Sequence, residues 1–491
     1  MADNGPTLGS RAERIENALQ VALLGGVACI CCVNLPCHGR ALSFPLSWAH
    51  AERFNISQLT TWVAPTVQWP YTLLLVISRD VFGGYLFLPK LVALVCFVLG
   101  LIITRKFGTE HASRGTGIVS CVLFAVFYIH TVILPSHDPL AGLIAAIGLL
   151  LAMKRERRLT FLPSLLIGLA GSVKVSALAL FPGIALSALL GSANWKRSCC
   201  FMVSGLLLGV SPVLIPNLIV VGTALHNEQA SVTWVNAYEL AGLHPPVGWV
   251  PHSFLDAFGA APVVMLHWWL SKFSTFCPLL IVAMARALVR RDRQSVVFVA
   301  TLLPVLVLSP LADDDHRYLY IVAPIECLLW AELLILEPRR RPVAQYMFGM
   351  LIKSGAVVGA ILATIDAGAG LARNTTRCVV SRQCLTGLEP GRAAQIGDEY
   401  YLYGDPRIRP LPRVDLQAWR NGEIAGMVDT LVLDPSGSGE GSIDIGAGIP
   451  VGWRLFRDCS FRRCRISVYV RDSSWRREVA NPERKMPPAP Q

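Results

Sequence analysis

A short polar segment, residues 134–139 (LPSHDP), separates two apolar runs that are each long enough to cross a bilayer. Its acid, Asp138, is costly at the rim of a membrane, which makes it a candidate for chemistry. A carboxylate in such a place can accept a proton as a general base. Asp138 followed by Pro139 is also typical of a helix start, because Asp is a good N-cap and Pro suits the first helical position. The sequence leaves the catalytic and the capping interpretations open.

Three more ionisable residues could act with Asp138. Glu52 offers a second carboxylate, or it pairs with Arg53 as a solvated loop acid. Lys174 and Arg317 lie near the ends of apolar runs, where either could bind a phosphate group. Both cations have a simpler interpretation, since a lysine at a helix end snorkels to the interface and an arginine there anchors the span. If the fold gathers these residues, they can transfer a proton and hold an anion.

The elements that must position these residues are membrane spans. Of 491 residues, 53% are hydrophobic and only 16% are charged, with a mean hydropathy of +0.50. Apolar runs of about 20 residues recur, which excludes a soluble globular protein and predicts a polytopic α-helical membrane protein of about eleven transmembrane helices. The expected spans are residues 17–36, 87–104, 115–133, 139–153, 161–174, 175–192, 199–222, 263–285, 295–311, 318–337 and 346–368. Residues 37–86 are expected to form a large outer loop on the membrane surface.

The basic residues indicate the orientation of these spans. One alternate set of loops carries eighteen Lys and Arg residues, whereas the opposite set, although longer, carries four. By the positive-inside rule the first set is cytoplasmic, so the net charge of +11 predicts an orientation and no nucleic-acid partner. Residues 1–16 then form a cytoplasmic N-terminus, residues 17–368 form the transmembrane domain, and the chain from residue 369 lies outside.

The outer C-terminal part has a different composition. Residues 369–474 are polar, contain β-like runs at 430–433 and 465–470, and are predicted to form a small β-rich extracytoplasmic domain. Residues 475–491 are predicted to be a disordered tail.

The cysteines of this part form two close pairs, Cys378 with Cys384 and Cys459 with Cys464. On the oxidising side of a membrane we expect at least one disulfide between the two pairs, because linking distant segments removes more chain entropy than closing a short loop. A zinc site is less well supported, since neither spacing is C-x-x-C and the segment has no histidine. No metal is assigned elsewhere, because the outer histidines show no metal-ligand spacing on one helix.

Several motifs, taken in order, resemble a known family. They are the outer loop acid Glu52, the stretch closing on Phe82-Gly83-Gly84, Asp138 at the outer start of a span, residues 168–174 (GLAGSVK) and residues 316–324 (HRYLYIVAP). Together they resemble the GT-C glycosyltransferases that use polyprenyl-phosphate sugars, the group containing protein O-mannosyltransferases and the lipid A aminoarabinose transferase. The resemblance covers about residues 17–368. Many relatives carry an Asp-Glu pair after the first span, where this chain has the lone Glu52.

The resemblance implies an inverting membrane glycosyltransferase of the inner or plasma membrane. Its donor would be a polyprenyl-phosphate sugar, which is a substrate rather than a cofactor, and its acceptor a glycolipid, a polysaccharide or a protein. It implies that Glu52 and Asp138 are the catalytic acids. The cations that bind the donor phosphate would be Lys174 and Arg317, and the substrate contacts would be His137, His316 and Tyr318. The alternative is a transporter or lipid flippase without transferase activity, which would place its ionisable residues in the middle of broken helices.

Overall fold

A computed structural model gives the fold of the chain. It describes residues 69–82, 87–133, 137–153, 160–192, 194–220, 237–244, 254–312, 316–335, 393–396, 428–433, 452–461 and 464–471, with the single residues 18, 25, 26, 365, 384, 419, 421 and 449.

Helices make up most of the described chain. The α-helices are α1 Trp69–Phe82, α2 Phe87–His111, α3 Arg114–Ile133, α4 Asp138–Met153, α5 Phe161–Val173, α6 Phe181–Gly191, α7 Trp195–Val220, α8 Phe254–Ala260, α9 Pro262–Arg290, α10 Arg293–Ala312 and α11 Ala323–Ile335. Two 3-10 helices, Val175–Leu180 and His316–Val322, lie directly before α6 and α11.

These helices make the chain an integral membrane protein. Within the described residues, Leu88–His111, Trp195–Ile219 and Tyr318–Ile335 are long and apolar enough to cross a membrane, and five shorter helices are also apolar. Nine of the expected spans coincide with helical segments, whereas those at 17–36 and 346–368 fall almost wholly outside the described residues. The total of about eleven spans therefore stays a prediction.

The helical path breaks at Lys174, between α5 and the first 3-10 helix. Lys174 is extended, with φ −146° and ψ 112°. Its N–H donates to the Ala170 carbonyl at 2.8 Å, and its own carbonyl accepts from the Ala177 N–H at 2.9 Å. The backbone is thus hydrogen-bonded through the break, and the break turns one lysine side chain out of the helical repeat.

Glycines allow α5 and α7 to pack closely. A Cβ atom at Gly168 would lie 2.6 Å from the Leu206 carbonyl oxygen, and one at Gly205 would lie 2.5 Å from the Phe161 carbonyl oxygen. The Gly205-x-x-x-Gly209 spacing of the sequence predicts such an approach between helices, and the structure confirms it.

A glycine also allows the second 3-10 helix to pack closely against α4. The Tyr320 ring lies where a side chain at position 142 would be, so Gly142 is the only residue type that fits there without movement. Tyr320 is buried and stacks edge-to-face on Tyr128, with ring centroids 4.9 Å apart. Phe124 packs on both rings, and all three aromatic residues belong to the hydrophobic core. The contact fixes where Tyr318, two residues earlier, meets α4.

The C-terminal residues form a four-stranded sheet of order β1-β2-β4-β3. Its strands are β1 Ala393–Ile396, β2 Thr430–Leu433, β3 Trp453–Phe461 and β4 Cys464–Arg471. β1 and β2 are parallel, whereas β2 with β4 and β3 with β4 are antiparallel. The two β-like runs of the sequence are therefore strands.

A disulfide joins Cys384 to Cys459 in β3, with Cα atoms 5.7 Å apart. This confirms the prediction that the two close cysteine pairs are linked to each other. The boundaries of an outer domain at residues 369–474 stay a prediction.

Candidate active site

An ion pair between Asp138 and Lys174 is the centre of the candidate site. Asp138 is the first residue of α4, and Lys174 occupies the extended break after α5. The Lys174 Nζ lies 2.5 Å from the Asp138 Oδ1. Both residues are buried, with 2% of Asp138 and 6% of Lys174 exposed. The α4 and α5 helices therefore bring together two charges that are 36 residues apart in sequence.

Two further predicted residues contact this pair. The Lys174 Nζ lies 4.2 Å from the centroid of the Tyr318 ring, whose face attracts a cation. The His137 Nε2 lies 3.8 Å from the same Asp138 oxygen. His137 and Asp138 are neighbours at the start of α4, whereas Tyr318 comes from the second 3-10 helix. Four of the seven predicted site residues thus share one buried location.

The pair bears on the alternatives that the sequence left open, and the catalytic role of Asp138 stays a prediction. Lys174 does not snorkel to an interface, since it is buried and bound to Asp138. Asp138 does begin a helix and precedes Pro139, so its place agrees with the capping interpretation, yet one carboxylate oxygen is bound to Lys174. A buried ion pair is expensive to desolvate, and replacing it by apolar residues is often neutral or stabilising. Packing alone therefore does not account for these two residue types.

The other three predicted residues cannot be placed with the pair. Glu52 lies outside the described residues. The backbone of His316 and Arg317 begins the second 3-10 helix, directly before Tyr318, and their side chains are not described. Their roles stay predictions.

Sequence reasoning missed Tyr71, which lies beside the pair. It comes from α1, within the stretch expected to lie on the membrane surface, and its ring meets the His137 ring edge-to-face at 6.0 Å between centroids. Tyr71, Leu75 and Val76 are buried, so α1 packs into the helical body. The one signal in the sequence is a tyrosine at the start of an apolar run, which is equally typical of a membrane interface.

Two further buried polar pairs lie elsewhere in the helices. The Tyr128 hydroxyl donates to the buried Glu326 carboxylate, linking α3 to α11. The Arg286 Nε donates to Glu332 at 2.7 Å and its Nη1 donates to the Ser295 hydroxyl, which links α9, α10 and α11. Each of these acids has a partner within the helical body.

The Asp138 site offers a carboxylate, an ammonium group, an imidazole and two tyrosine rings. This set can accept a proton and hold an anion. Among the residues that the structure describes, no three His, Cys, Asp or Glu side chains come together as ligands for a metal ion.

Comparisons with known proteins find similarity only to solved structures. No protein-family model matches the chain, and no curated protein matches its sequence. Among the similar structures is ArnT from Cupriavidus metallidurans bound to undecaprenyl phosphate, at 12% identity and a TM-score of 0.45, covering 91% of this chain and 97% of that one. The apo state of the same ArnT matches at 12% identity and 0.44, covering 92% and 98%.

An oligosaccharyltransferase from Archaeoglobus fulgidus in its apo form is also similar, at 11% identity and a TM-score of 0.44, covering 94% of this chain and 81% of that one. Both kinds of neighbour are GT-C glycosyltransferases. At these identities and TM-scores the likeness carries no residue role over to this chain.

Proposed function

We propose that this chain is a membrane glycosyltransferase that moves a sugar from a polyprenyl-phosphate donor to a cell-envelope acceptor on the outer face of the inner or plasma membrane. The observation that carries the proposal is the buried pair of Asp138 and Lys174, flanked by His137 and Tyr318, at the ends of apolar helices. The acceptor is a glycolipid, a polysaccharide or a protein. The sequence motifs that resemble the GT-C family support the same proposal. No metal or cofactor is part of it.

Asp138 is the proposed general base. An acceptor hydroxyl loses its proton to the Asp138 carboxylate while its oxygen forms a bond to the anomeric carbon of the donor sugar. The bond from that carbon to the phosphate oxygen breaks, and its electron pair leaves with the polyprenyl phosphate. The acceptor attacks from the side opposite the phosphate, so the anomeric configuration inverts. Glu52 is the proposed second acid, which positions the acceptor.

Lys174 is proposed to interact with both the general base, Asp138, and the leaving phosphate. In the free protein its ammonium compensates the charge of Asp138. A donor phosphate bound to Lys174 shares that ammonium, which leaves the carboxylate more basic when the acceptor arrives. The leaving phosphate is a weak base, so it needs cations rather than an acid. Arg317 is the proposed second cation, and His137, His316 and Tyr318 are the proposed sugar contacts.

A transporter or flippase is not favoured. Its case depends on ionisable groups inside the helices, and two of these, Glu326 and Glu332, are bound to Tyr128 and Arg286. Lys353 and Asp366, the two charged residues within the expected span 346–368, lie outside the described residues.

Donor turnover tests the function directly. The purified protein in lipid nanodiscs is incubated with a panel of radiolabelled polyprenyl-phosphate sugars and with envelope extracts as acceptors. We expect at least one donor to lose its sugar and a labelled acceptor to form. If no donor is consumed, but the protein moves such lipids between the leaflets of a vesicle, the transporter alternative replaces the proposal.

A further inference from the structure

The Tyr71 hydroxyl is a buried polar group without a partner in the described part of the chain. Tyr71 is 2% exposed, and no hydrogen bond reaches its hydroxyl oxygen there. Its ring meets the His137 ring edge-to-face at 6.0 Å between centroids, and His137 directly precedes Asp138. Tyr71 therefore borders the candidate site through His137.

Packing does not account for a tyrosine at this position. A buried hydroxyl that lacks a hydrogen bond destabilises the folded state, whereas a phenylalanine would fill the same space without that cost. By contrast, the buried hydroxyl of Tyr128 donates to Glu326. The buried hydroxyl of Tyr320 also lacks a hydrogen bond in the described part of the chain, so Tyr71 is distinguished by its ring contact with His137, the residue next to Asp138.

The Tyr71 hydroxyl keeps a proton that it can donate at working pH. Burial first, and the neighbouring Asp138 charge second, raise the pKa of Tyr71 well above its ordinary value of about 10. The hydroxyl therefore keeps its proton at any pH at which a membrane enzyme works. A hydroxyl that stays protonated can donate to an anion, and a phosphate oxygen is the strongest acceptor of a polyprenyl-phosphate donor.

We infer that Tyr71 is a substrate-binding residue whose hydroxyl donates a hydrogen bond to a phosphate oxygen of the lipid-linked donor, beside Lys174. This inference rests on the proposed function and adds a binding group from α1 to it. Lys174 supplies charge from the break after α5, and Tyr71 supplies a neutral donor from another helix. The phosphate is then held between the two and kept next to the Asp138 carboxylate.

The variant Tyr71→Phe removes the hydroxyl and keeps the ring. In the full chain without ligand, we expect its Tm to be unchanged or higher, because an unpartnered hydroxyl has been removed. The matched control is Tyr128→Phe, which should lower the Tm because Glu326 then loses its donor. A Tyr71→Phe variant destabilised as much as Tyr128→Phe would show a structural hydroxyl and overturn the inference.

Binding is measured with undecaprenyl phosphate and, separately, with undecaprenol, which has the same tail and no phosphate. We expect Tyr71→Phe to weaken binding of the phosphate on the order of tenfold, the range of a hydrogen bond to a charged group, and to leave binding of the alcohol unchanged. Equal affinities of the variant and the wild type for the phosphate would overturn the inference.

Failure of the proposed function can be told from failure of this inference. If the wild type consumes no sugar donor, the proposed function fails, and the comparison of the two lipids still decides whether Tyr71 binds the phosphate. If the wild type does not bind undecaprenyl phosphate, both fail. If it transfers sugar and Tyr71→Phe does so with unchanged kcat/KM, only the inference on Tyr71 fails.

Discussion

Asp138 and Lys174 share one buried location, so changing either residue alone leaves an uncompensated charge. For Asp138→Asn we expect a loss of stability of about 3 kcal/mol or more, because removing one member of a buried ion pair typically costs 3–5 kcal/mol. A residue that only capped α4 would tolerate Asn, which caps about as well as Asp. Transfer should fall at least about 100-fold, the lower limit of what a general base contributes. Thermal unfolding and donor turnover of the purified variant measure the two effects.

A second ion pair, of the buried Arg286 with the partly buried Glu332, provides the control for this variant. Glu332, bound to Arg286, lies on α11 about 14 Å along the helix axis from Ala323, at the end remote from Tyr318. Glu332→Gln should therefore lower the Tm and leave the kcat and KM of the remaining folded enzyme unchanged. If Asp138→Asn loses stability but keeps full activity, Asp138 is a structural residue and the site assignment is wrong.

The sequence identifies the candidate site residues, but it does not predict which of them contact each other. It singles out Asp138 and Lys174, yet the pair forms only because α4 packs on α5 and the chain becomes extended at Lys174. Tyr71 escapes sequence reasoning, because an aromatic residue before an apolar run is typical of a membrane interface. Its burial against His137 depends on how α1 packs.

The α4 helix positions the second 3-10 helix through Gly142, and this contact can be tested. In Gly142→Ala the new methyl group would overlap the Tyr320 ring, so Tyr318 should move away from Lys174. We expect a lower Tm and a loss of donor turnover on the order of tenfold or more, since small shifts of positioning residues are costly in catalysis.

Gly148→Ala on the same helix is the matched control. A Cβ there would lie 3.2 Å from the terminal Cδ1 of Ile167, which can move by a few tenths of an ångström. The helix also gains about 0.5–1 kcal/mol when alanine replaces glycine. If Gly142→Ala behaved like Gly148→Ala, the contact with Tyr320 would not position the site.

The helices are the part of the fold that hydropathy predicts well, because each span is one long apolar run. The sequence also places a boundary at residue 174. It does not show that the boundary is an extended residue followed by a 3-10 helix, since no proline or glycine marks positions 173–176. Residues 316–322 likewise read as the start of an apolar span, and their 3-10 path depends on packing against α4.

For the whole molecule, the orientation of the chain in the membrane is a prediction that can be tested directly. The bias of basic residues predicts that residues 369–491 lie outside and that the loop holding Thr160 lies inside. In a background that keeps only Cys384 and Cys459 of the fourteen natural cysteines, single cysteines at positions 436 and 160 are treated with an impermeant thiol reagent on intact cells. Only position 436 should react. Labelling at position 160 would contradict the predicted orientation.

The Cys384–Cys459 disulfide is expected to stabilise the C-terminal sheet. It closes a loop of 75 residues, so its loss should cost about 4 kcal/mol in the local stability of the sheet. We expect Cys384→Ser to make the C-terminal residues sensitive to proteolysis at lower temperature, while donor binding by the helices stays unchanged. Non-reducing peptide mapping of the wild type should recover the peptides of Cys384 and Cys459 joined. Recovery of both as free thiols would contradict the link.

The lengths of α4 and α5 have a consequence for the lipid around the protein. With 16 and 13 residues, they rise about 24 Å and about 20 Å, whereas the hydrocarbon core of a bilayer is about 30 Å thick. No residue of Asp138–Met153 or Phe161–Val173 is exposed, so the surrounding helices face the lipid, and we expect the end of this short pair that holds the site to lie below the headgroups. Donor turnover should therefore rise in nanodiscs of short-chain phosphatidylcholine and fall as the acyl chains lengthen, with a flat profile as the contrary result. A thinner bilayer brings the headgroups closer to the level of Asp138 and Lys174, so a lipid phosphate could reach the buried pair while its tail stayed in hydrocarbon.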